Sequence, residues 1–212
     1  MTDAHNRGKI WMQPVSVQDA RPRSGIYAEA NNSENLRATW NASINGNAEW
    51  VQLTTWNDYS EQTEFSPSSH IGWGPLDINT YYLQRFKTGS FPAISRDVLY
   101  LSHRVQPFAA LPTGGQTMLM NLVGGSSPSR DTVEVLSFLT SPASVTLTAG
   151  TVSQTYTAPA GLFAQSYPLQ VGQISAVINY ADGTKKTVTS PFPVQARPAI
   201  QDLQYHFVSS AR

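Results

Sequence analysis

The sequence predicts an α/β region followed by an all-β region, and three observations lead to this fold class. Strand-like and helix-like patterns alternate through the first part of the chain. All 5 tryptophans lie in that part, whereas the rest is rich in Thr, Val, Ser, Gly and Pro. From about Val133 onward, apolar and polar residues alternate with a period of two, which is typical of half-buried strands. The chain therefore contains two kinds of core.

The first strand and helix of the α/β region are defined by an apolar run and a capping signal. Residues 9–15 form a short apolar run interrupted by Pro14, which indicates a buried strand. Asn32 or Ser33 can cap a helix, because either side-chain oxygen can accept a hydrogen bond from a first-turn N–H group. Gly46 ends this helix, whose apolar face has a spacing of four residues and consists of Leu36, Trp40 and Ile44.

A second strand and helix follow in the same order. Residues 48–55 predict the strand, and residues 76–88 predict the helix, with Gly89 as its C-terminal cap. Strands that alternate with helices imply parallel strand–helix–strand units. Two such units are too few to close a barrel or complete a doubly wound sheet, so the sheet is either unusual or incomplete.

The all-β region is predicted to be an antiparallel sandwich. Short strands are expected at 144–148 and 155–157, and residues 175–180 and 185–189 flank the turn sequence Asp182-Gly183, which indicates a hairpin. Short strands at this spacing favour a sandwich.

The predicted domains are an α/β unit at 1–105, a linker at 106–130 and a β-sandwich at 131–212. The linker is rich in Pro, Gly and Ser. Residues 118–123 within it could instead be the first strand of the sandwich.

Composition excludes several classes of function. Lys+Arg and Asp+Glu each number 14, so the chain lacks the basic surplus expected of a nucleic-acid binder or of a protein that binds anionic membranes. It has no Cys, and its four His residues show no metal-binding spacing, so neither a metal nor another cofactor is expected. No segment is apolar enough for a membrane helix, and the N-terminal residues lack the apolar core of a signal peptide.

The densest group of chemically useful residues follows the second predicted strand. On that strand Gln52, Thr54, Trp56 and Asp58 share a parity opposite to Val51 and Leu53, which places Asp58 at the carboxyl end of the strand. Glu61 lies three residues further on and can curl back beside it. Two carboxylates with aromatic neighbours suit glycoside hydrolysis, in which one protonates the leaving oxygen and the other activates water or attacks the sugar. The alternative is that Asp58 caps a turn and Glu61 is a solvated loop residue.

The segment 50–61, which reads WVQLTTWNDYSE, resembles the last barrel strand of glycoside hydrolase family 71, the endo-1,3-α-glucanases or mutanases. Residues 77–89 and 9–15 are similar to neighbouring segments of the family, and the resemblance covers roughly residues 8–105. It implies the C-terminal strands and helices of a (β/α)8 TIM-type barrel with an accessory β-domain. It also implies an extracellular or cell-wall α-1,3-glucan hydrolase, whose catalytic acids include Asp58 and Glu61.

Other residues are candidates for contact with the polysaccharide. They are Trp56, Asn57 and Tyr59 beside the acids, and His70 and Trp73 in the loop that follows. The sequence departs from the family pattern at Ser60, where Gly is usual, and at 62–65, where the family has Ser-His-Tyr. The third acid of the family and about six barrel strands have no counterpart, so the chain is expected to be incomplete. The alternative function is a non-catalytic polysaccharide-binding or remnant module.

Overall fold

A computed structural model describes residues 2–211, so Met1 and Arg212, the outermost residues of the predicted domains, lie outside it. The fold is a mixed α/β arrangement made mostly of strands. The helices are α1 (Thr2–Asn6), α2 (Glu34–Asn45), α3 (Gly74–Thr88) and a 3-10 turn at Pro22–Ser24. The strands are β1 (Met12–Ser16), β2 (Asp19–Arg21), β3 (Ile26–Ala28), β4 (Trp50–Thr54), β5 (Val98–His103), β6 (Asn121–Leu122), β7 (Thr132–Leu139), β8 (Ala143–Ala149), β9 (Val152–Ala158), β10 (Gly161–Pro168), β11 (Ile174–Asn179), β12 (Lys185–Thr189) and β13 (His206–Ser209). None of the helices in this part of the chain is long and apolar enough to cross a membrane.

Strands β1 and β4 form a two-stranded parallel sheet, with Val15 opposite Leu53, which confirms the predicted parallel unit. Val51 and Leu53 pack against the buried cluster that contains α2 and α3, as their parity predicts. Trp50 is 59% exposed and Met12 is 51% exposed. Each of the two strands pairs only with the other within residues 2–211, so this part of the chain contains no closed barrel.

Helix α2 begins after Ser33 and ends at Gly46, close to the predicted bounds. Ser33 does not cap it through its side chain, because its hydroxyl donates instead to the carboxylate of Glu134 on β7. Trp40 is fully buried, and its Nε1 donates to Asn79 Oδ1 of α3 at 3.1 Å. Helix α3 ends at Gly89 in the left-handed region, with a φ of 81°, as expected for a C-terminal glycine cap.

Two four-stranded antiparallel sheets account for most of the second half. Their strand orders are β10-β7-β5-β13 and β12-β11-β8-β9. The predicted hairpin is confirmed, because β11 pairs with β12 in antiparallel register and Gly183 between them has a φ of 84°. The two sheets share one buried cluster, which includes Leu99, Leu101, Val133, Val135, Val145, Leu147, Ile174, Ala176 and Ile178.

Strand β5 joins the two halves of the chain. The predicted boundary at residue 105 falls just after β5, which pairs with β7 and β13. Tyr100 on β5 and Phe138 on β7 belong to the same buried cluster as Trp40 and Tyr82 of the helices. The sheet that contains β5 therefore packs against the helices on one face and contributes to the core of the all-β region on the other.

The proposal that residues 118–123 start the sandwich is wrong. Asn121–Leu122 pairs in parallel with Ile26–Tyr27 of β3, in a three-stranded sheet with β2. Met120 is buried in a small cluster with Ala20, Tyr27 and Leu203. The apolar run at 118–123 indicates a strand, but it carries no information about which distant strand is its partner.

A buried polar network ties the N-terminal region to the sheets. Arg104, which is 1% exposed, donates from Nη2 to Glu29 Oε2 at 2.9 Å and from Nε to the Leu203 carbonyl at 2.8 Å. The Tyr205 hydroxyl donates to Glu29 Oε1 at 2.7 Å. Removing one partner would leave a buried charge without compensation, so the network specifies how these segments meet.

Burial of His103 at the end of β5 makes stability depend on pH. Its Nδ1 and Nε2 lie 2.9 Å from the Arg104 carbonyl and the Ser190 hydroxyl, and burial lowers its pKa to about 4. The His103 imidazole takes up a proton near pH 6.5 in the unfolded chain but only near pH 4 in the folded chain. Acidification between these values therefore favours unfolding. We expect His103 alone to reduce the free energy of unfolding by about 2 kcal/mol between pH 7 and pH 5.

Chemical denaturation of the parent and of His103→Gln at several pH values measures this effect. The variant should lose that part of the pH dependence, whatever its stability at neutral pH. The exposed His5→Gln is the control and should keep the slope of the parent. An equal slope in the parent and His103→Gln would contradict the prediction.

Candidate active site

A compact loop follows β4 and carries the predicted acids. Thr55 N donates to the Thr63 carbonyl at 2.9 Å, Phe65 N donates to the Thr55 carbonyl at 2.9 Å, and Ser66 N donates to the Trp56 carbonyl at 2.8 Å. The peptide bond between Thr54 and Thr55 is cis. Phe65 is fully buried in the helix cluster. The segment 55–66, called the acid loop below, is thus closed on itself and fixed to the core.

Asp58 is half-buried in the acid loop and is oriented by its neighbours. Its Oδ1 accepts hydrogen bonds from the Ser60 hydroxyl at 2.8 Å and from Glu61 N at 3.3 Å, while Asp58 N donates to Thr55 Oγ1 at 3.2 Å. The bond from Glu61 N makes Asp58 a cap of the following turn, which is the structural role considered from the sequence. The contacts that stabilise the turn therefore also orient the Asp58 carboxylate.

Glu61 is held by an arginine from another part of the chain. Arg21 Nη1 donates to Glu61 Oε1 at 2.8 Å, and Arg21 also binds both carboxylate oxygens of Asp19 at 2.7 Å. Ala20 N donates to the Glu61 carbonyl at 3.0 Å. The interpretation of Glu61 as only a solvated loop residue is therefore wrong. Arg21 could not be found from the sequence, because no local pattern links β2 to a loop 40 residues away.

Three further candidates lie in the acid loop. Trp56 is 54% exposed and Tyr59 is 51% exposed, and the Tyr59 hydroxyl donates to Ser66 Oγ at 3.1 Å. Asn57 is also exposed, and its carbonyl accepts a hydrogen bond from Tyr59 N at 3.0 Å. Two exposed aromatic side chains, which can stack on a sugar, thus lie in the same loop as two carboxylates, which are groups able to exchange protons.

His70 and Trp73 lie after the acid loop and face the C-terminal part of the chain. The His70 ring is 5.3 Å from the His206 ring, and its carbonyl accepts a hydrogen bond from Phe207 N at 3.1 Å. Trp73 lines a cleft with residues of the segments 189–192 and 207–209. The structure therefore brings five of the seven predicted site residues into one loop and places the other two beside β12 and β13.

Glu64 is an acid of the same loop that the sequence argument did not select. It is 3% exposed, its Oε1 accepts from Ser68 Oγ at 3.0 Å, and its Oε2 has no hydrogen-bond partner among the described residues. Burial raises its pKa, and the charge of Asp58 acts in the same direction, whereas His70 acts against it. Its place in the segment 62–65, which departs from the family pattern, is the one signal that could have identified it.

Replacement of Glu64 by Gln is expected to stabilise the fold at alkaline pH. Because the folded pKa lies above the unfolded one, the parent loses stability as pH rises through the folded pKa. Gln cannot ionise, so Glu64→Gln should gain free energy of unfolding over the parent at pH 8 and match it more closely at pH 3.5. Denaturant titrations at both pH values test this, with the exposed Glu34→Gln as the control. A constant difference across pH would show that ionisation of Glu64 has no effect.

Within residues 2–211, no three His, Asp or Glu side chains come close enough together to hold a metal ion. The acid loop offers carboxylates and aromatic faces, and Arg21 of β2 adds a guanidinium beside Glu61.

Comparison with known proteins identifies the family of this chain. The profile of glycosyl hydrolase family 71 matches residues 2–203, which is nearly the whole chain. The chain belongs to glycosyl hydrolase family 71. Over 205 residues it is 24% identical to the glucan endo-1,3-alpha-glucosidase agn1 of Schizosaccharomyces pombe, covering 89% of this chain and 47% of that protein. The chain thus spans about half the length of this relative. No solved structure matches it.

Proposed function

We propose that this family 71 chain carries the acid loop of an enzyme that hydrolyses α-1,3-glucan. The main support is that Asp58 and Glu61 are two oriented carboxyl groups in one loop after a parallel strand. Trp56 and Tyr59 are exposed in the same loop. The carboxyl end of parallel strands is where enzymes of the barrel type place their catalytic groups. The name of the Schizosaccharomyces pombe relative supports the choice of substrate.

The proposed roles follow the chemistry of glycoside hydrolysis. One carboxyl group of the Asp58–Glu61 pair donates a proton to the leaving glycosidic oxygen, and the other activates water or attacks the anomeric carbon. Arg21 is a positioning residue, because it fixes the Glu61 carboxylate through a planar guanidinium that Asp19 holds on its other edge. Trp56 and Tyr59 stack on the sugar, and Asn57 binds its hydroxyls. The polymer is an extracellular or cell-wall polysaccharide, so we place the enzyme there.

The proposed architecture has two parts. Strands β1 and β4, with α2 and α3, correspond to the C-terminal strands and helices of a (β/α)8 barrel, and the two four-stranded sheets form the accessory sandwich. The first correspondence is supported by the parallel register of β1 and β4 and by the helices that cover only one face of this pair. The second is supported by the buried cluster that the two sheets share.

A loop exchange tests the proposed function. The acid loop of this chain replaces the matching loop of the Schizosaccharomyces pombe relative, and release of reducing sugar from insoluble α-1,3-glucan is measured. We expect the chimera to remain active, because the loop supplies the acids at the end of the same strand. A folded chimera with no activity, confirmed by circular dichroism and thermal unfolding, would contradict the assignment.

A further inference from the structure

A second candidate site lies where the start of α3 meets the ends of β12 and β13. The cleft there has a volume of about 400 Å³, and its walls come from residues 69–74, 189–192 and 207–209. Clefts of roughly 300–1,000 Å³ are typical of small-molecule and sugar sites. These walls begin after the acid loop has ended, so the cleft is built from other parts of the chain.

Trp73 is held rigidly at the edge of this cleft although its side chain is 49% exposed. Ile71 before it is fully buried, and Gly74 after it packs so closely on β13 that an added Cβ would lie 3.1 Å from Phe207 Cβ. Its backbone therefore has little freedom, and a ligand that stacks on the indole would have a small ordering cost. A large exposed aromatic on a fixed backbone is a ready platform for a flat apolar surface.

The chemistry of the cleft fits an uncharged, hydroxyl-rich ligand. Among the described residues that line it, none is charged. Ser69, Thr189 and Ser209 contribute hydroxyl groups, each of which can donate and accept hydrogen bonds as sugar hydroxyls require. Pro191 and Phe192 form the apolar wall that completes the cleft with Trp73. An anionic polymer would need cationic side chains, whereas a neutral sugar needs an aromatic face and hydroxyl partners.

We propose that this cleft is a second glucan-binding site, in which a sugar ring of a neutral glucan chain stacks on Trp73 and its hydroxyls bind Ser69, Thr189 and Ser209. The choice of glucan as the ligand rests on the function proposed for the acid loop. The site itself rests on the cleft. By holding the polymer at a second point, it raises the effective concentration of the same polymer at the acid loop.

Calorimetric titration of the 212-residue chain with short α-1,3-linked gluco-oligosaccharides tests the site. Trp73→Ala should weaken binding at least about tenfold, and Trp73→Phe should retain part of it. The matched control is Trp50→Ala, which removes a tryptophan that is 59% exposed on β4 and should change affinity by less than about twofold. Thermal unfolding of each variant shows that the fold is kept.

Three outcomes would overturn the proposal. They are no binding by the parent, equal binding by the parent and Trp73→Ala, and a loss of affinity in Trp73→Ala that light scattering traces entirely to a change of oligomeric state. The last would identify the cleft as an interface between copies. Binding is read without turnover, so binding through Trp73 beside a folded but inactive loop chimera would contradict the proposed hydrolysis but not this site. An active loop chimera beside a chain that binds equally well without Trp73 would contradict only the site.

Discussion

In the loop chimera, Asp58→Asn and Glu61→Gln should each reduce turnover of α-1,3-glucan at least about a hundredfold, which is the usual size of acid–base assistance. Both changes keep nearly the same shape. The contacts of Asp58 with Ser60 and Glu61 N can largely be kept by an amide oxygen, so the loop should remain folded. Each amide lacks the carboxyl group that transfers a proton or attacks the sugar.

Initial rates of reducing-sugar release at saturating substrate measure this effect. Gln62→Asn is the matched control within the same loop, because the side-chain oxygen of Gln62 has no hydrogen-bond partner among the described residues and Asn tolerates its positive φ of 54°, and it should stay within a few-fold of the chimera. Asp58→Asn or Glu61→Gln with the activity of the control would show that these acids stabilise the loop and do not catalyse. Arg21 lies outside the exchanged loop, so these chimera variants do not measure the effect of its contact with Glu61.

The isolated 212-residue chain should release no measurable sugar and should associate in solution. Strands β1 and β4 pair only with each other within residues 2–211, and Trp50 and Met12 are more than half exposed. Unpaired strand edges and exposed apolar side chains favour contact with other chains. Within residues 2–211 no closed barrel surrounds the acids, and positioning of the sugar supplies a large part of catalytic acceleration.

A reducing-sugar assay beside size-exclusion chromatography with light scattering tests both halves of this prediction. Met12→Lys should shift the chain toward the monomer, because a charge on the exposed strand opposes association. Val171→Lys is the control, since Val171 is 53% exposed but lies away from β1 and β4, and it should leave the association unchanged. Clear hydrolysis by a monodisperse parent would mean that the described residues already form a complete active site.

Local patterns predicted the local structure well. The end of α3 at Gly89 follows from glycine, which adopts the left-handed cap conformation, and the Asp182-Gly183 hairpin follows from turn chemistry. Helix α2 ends at Gly46 as predicted, although Gly46 itself stays in the right-handed region. The parallel pairing of β1 and β4 follows from the alternation of strand and helix. These signals extend over a few residues, so one sequence is enough to read them.

Long-range contacts were not predictable in the same way. Ser33 meets Glu134, Arg21 meets Glu61, and Asn121–Leu122 pairs with Ile26–Tyr27, and each contact joins segments far apart in the chain. The buried position of Glu64 depends on how the acid loop closes over Phe65, which composition does not reveal. The catalytic roles of Asp58 and Glu61 and the domain boundaries at 105 and 130 stay predictions.

The shared cluster around Trp40 has a consequence for how this protein can be divided. Tyr100 and Phe138, from strands on either side of the boundary predicted at 105, bury themselves against the same helices. Truncation after residue 105 would strip β7 and β13 from β5 and leave aromatic surface on α3 open to water. We therefore expect the helices and the β-rich half to need each other for folding, and shortened versions of the protein should keep the chain from β1 through β13 intact.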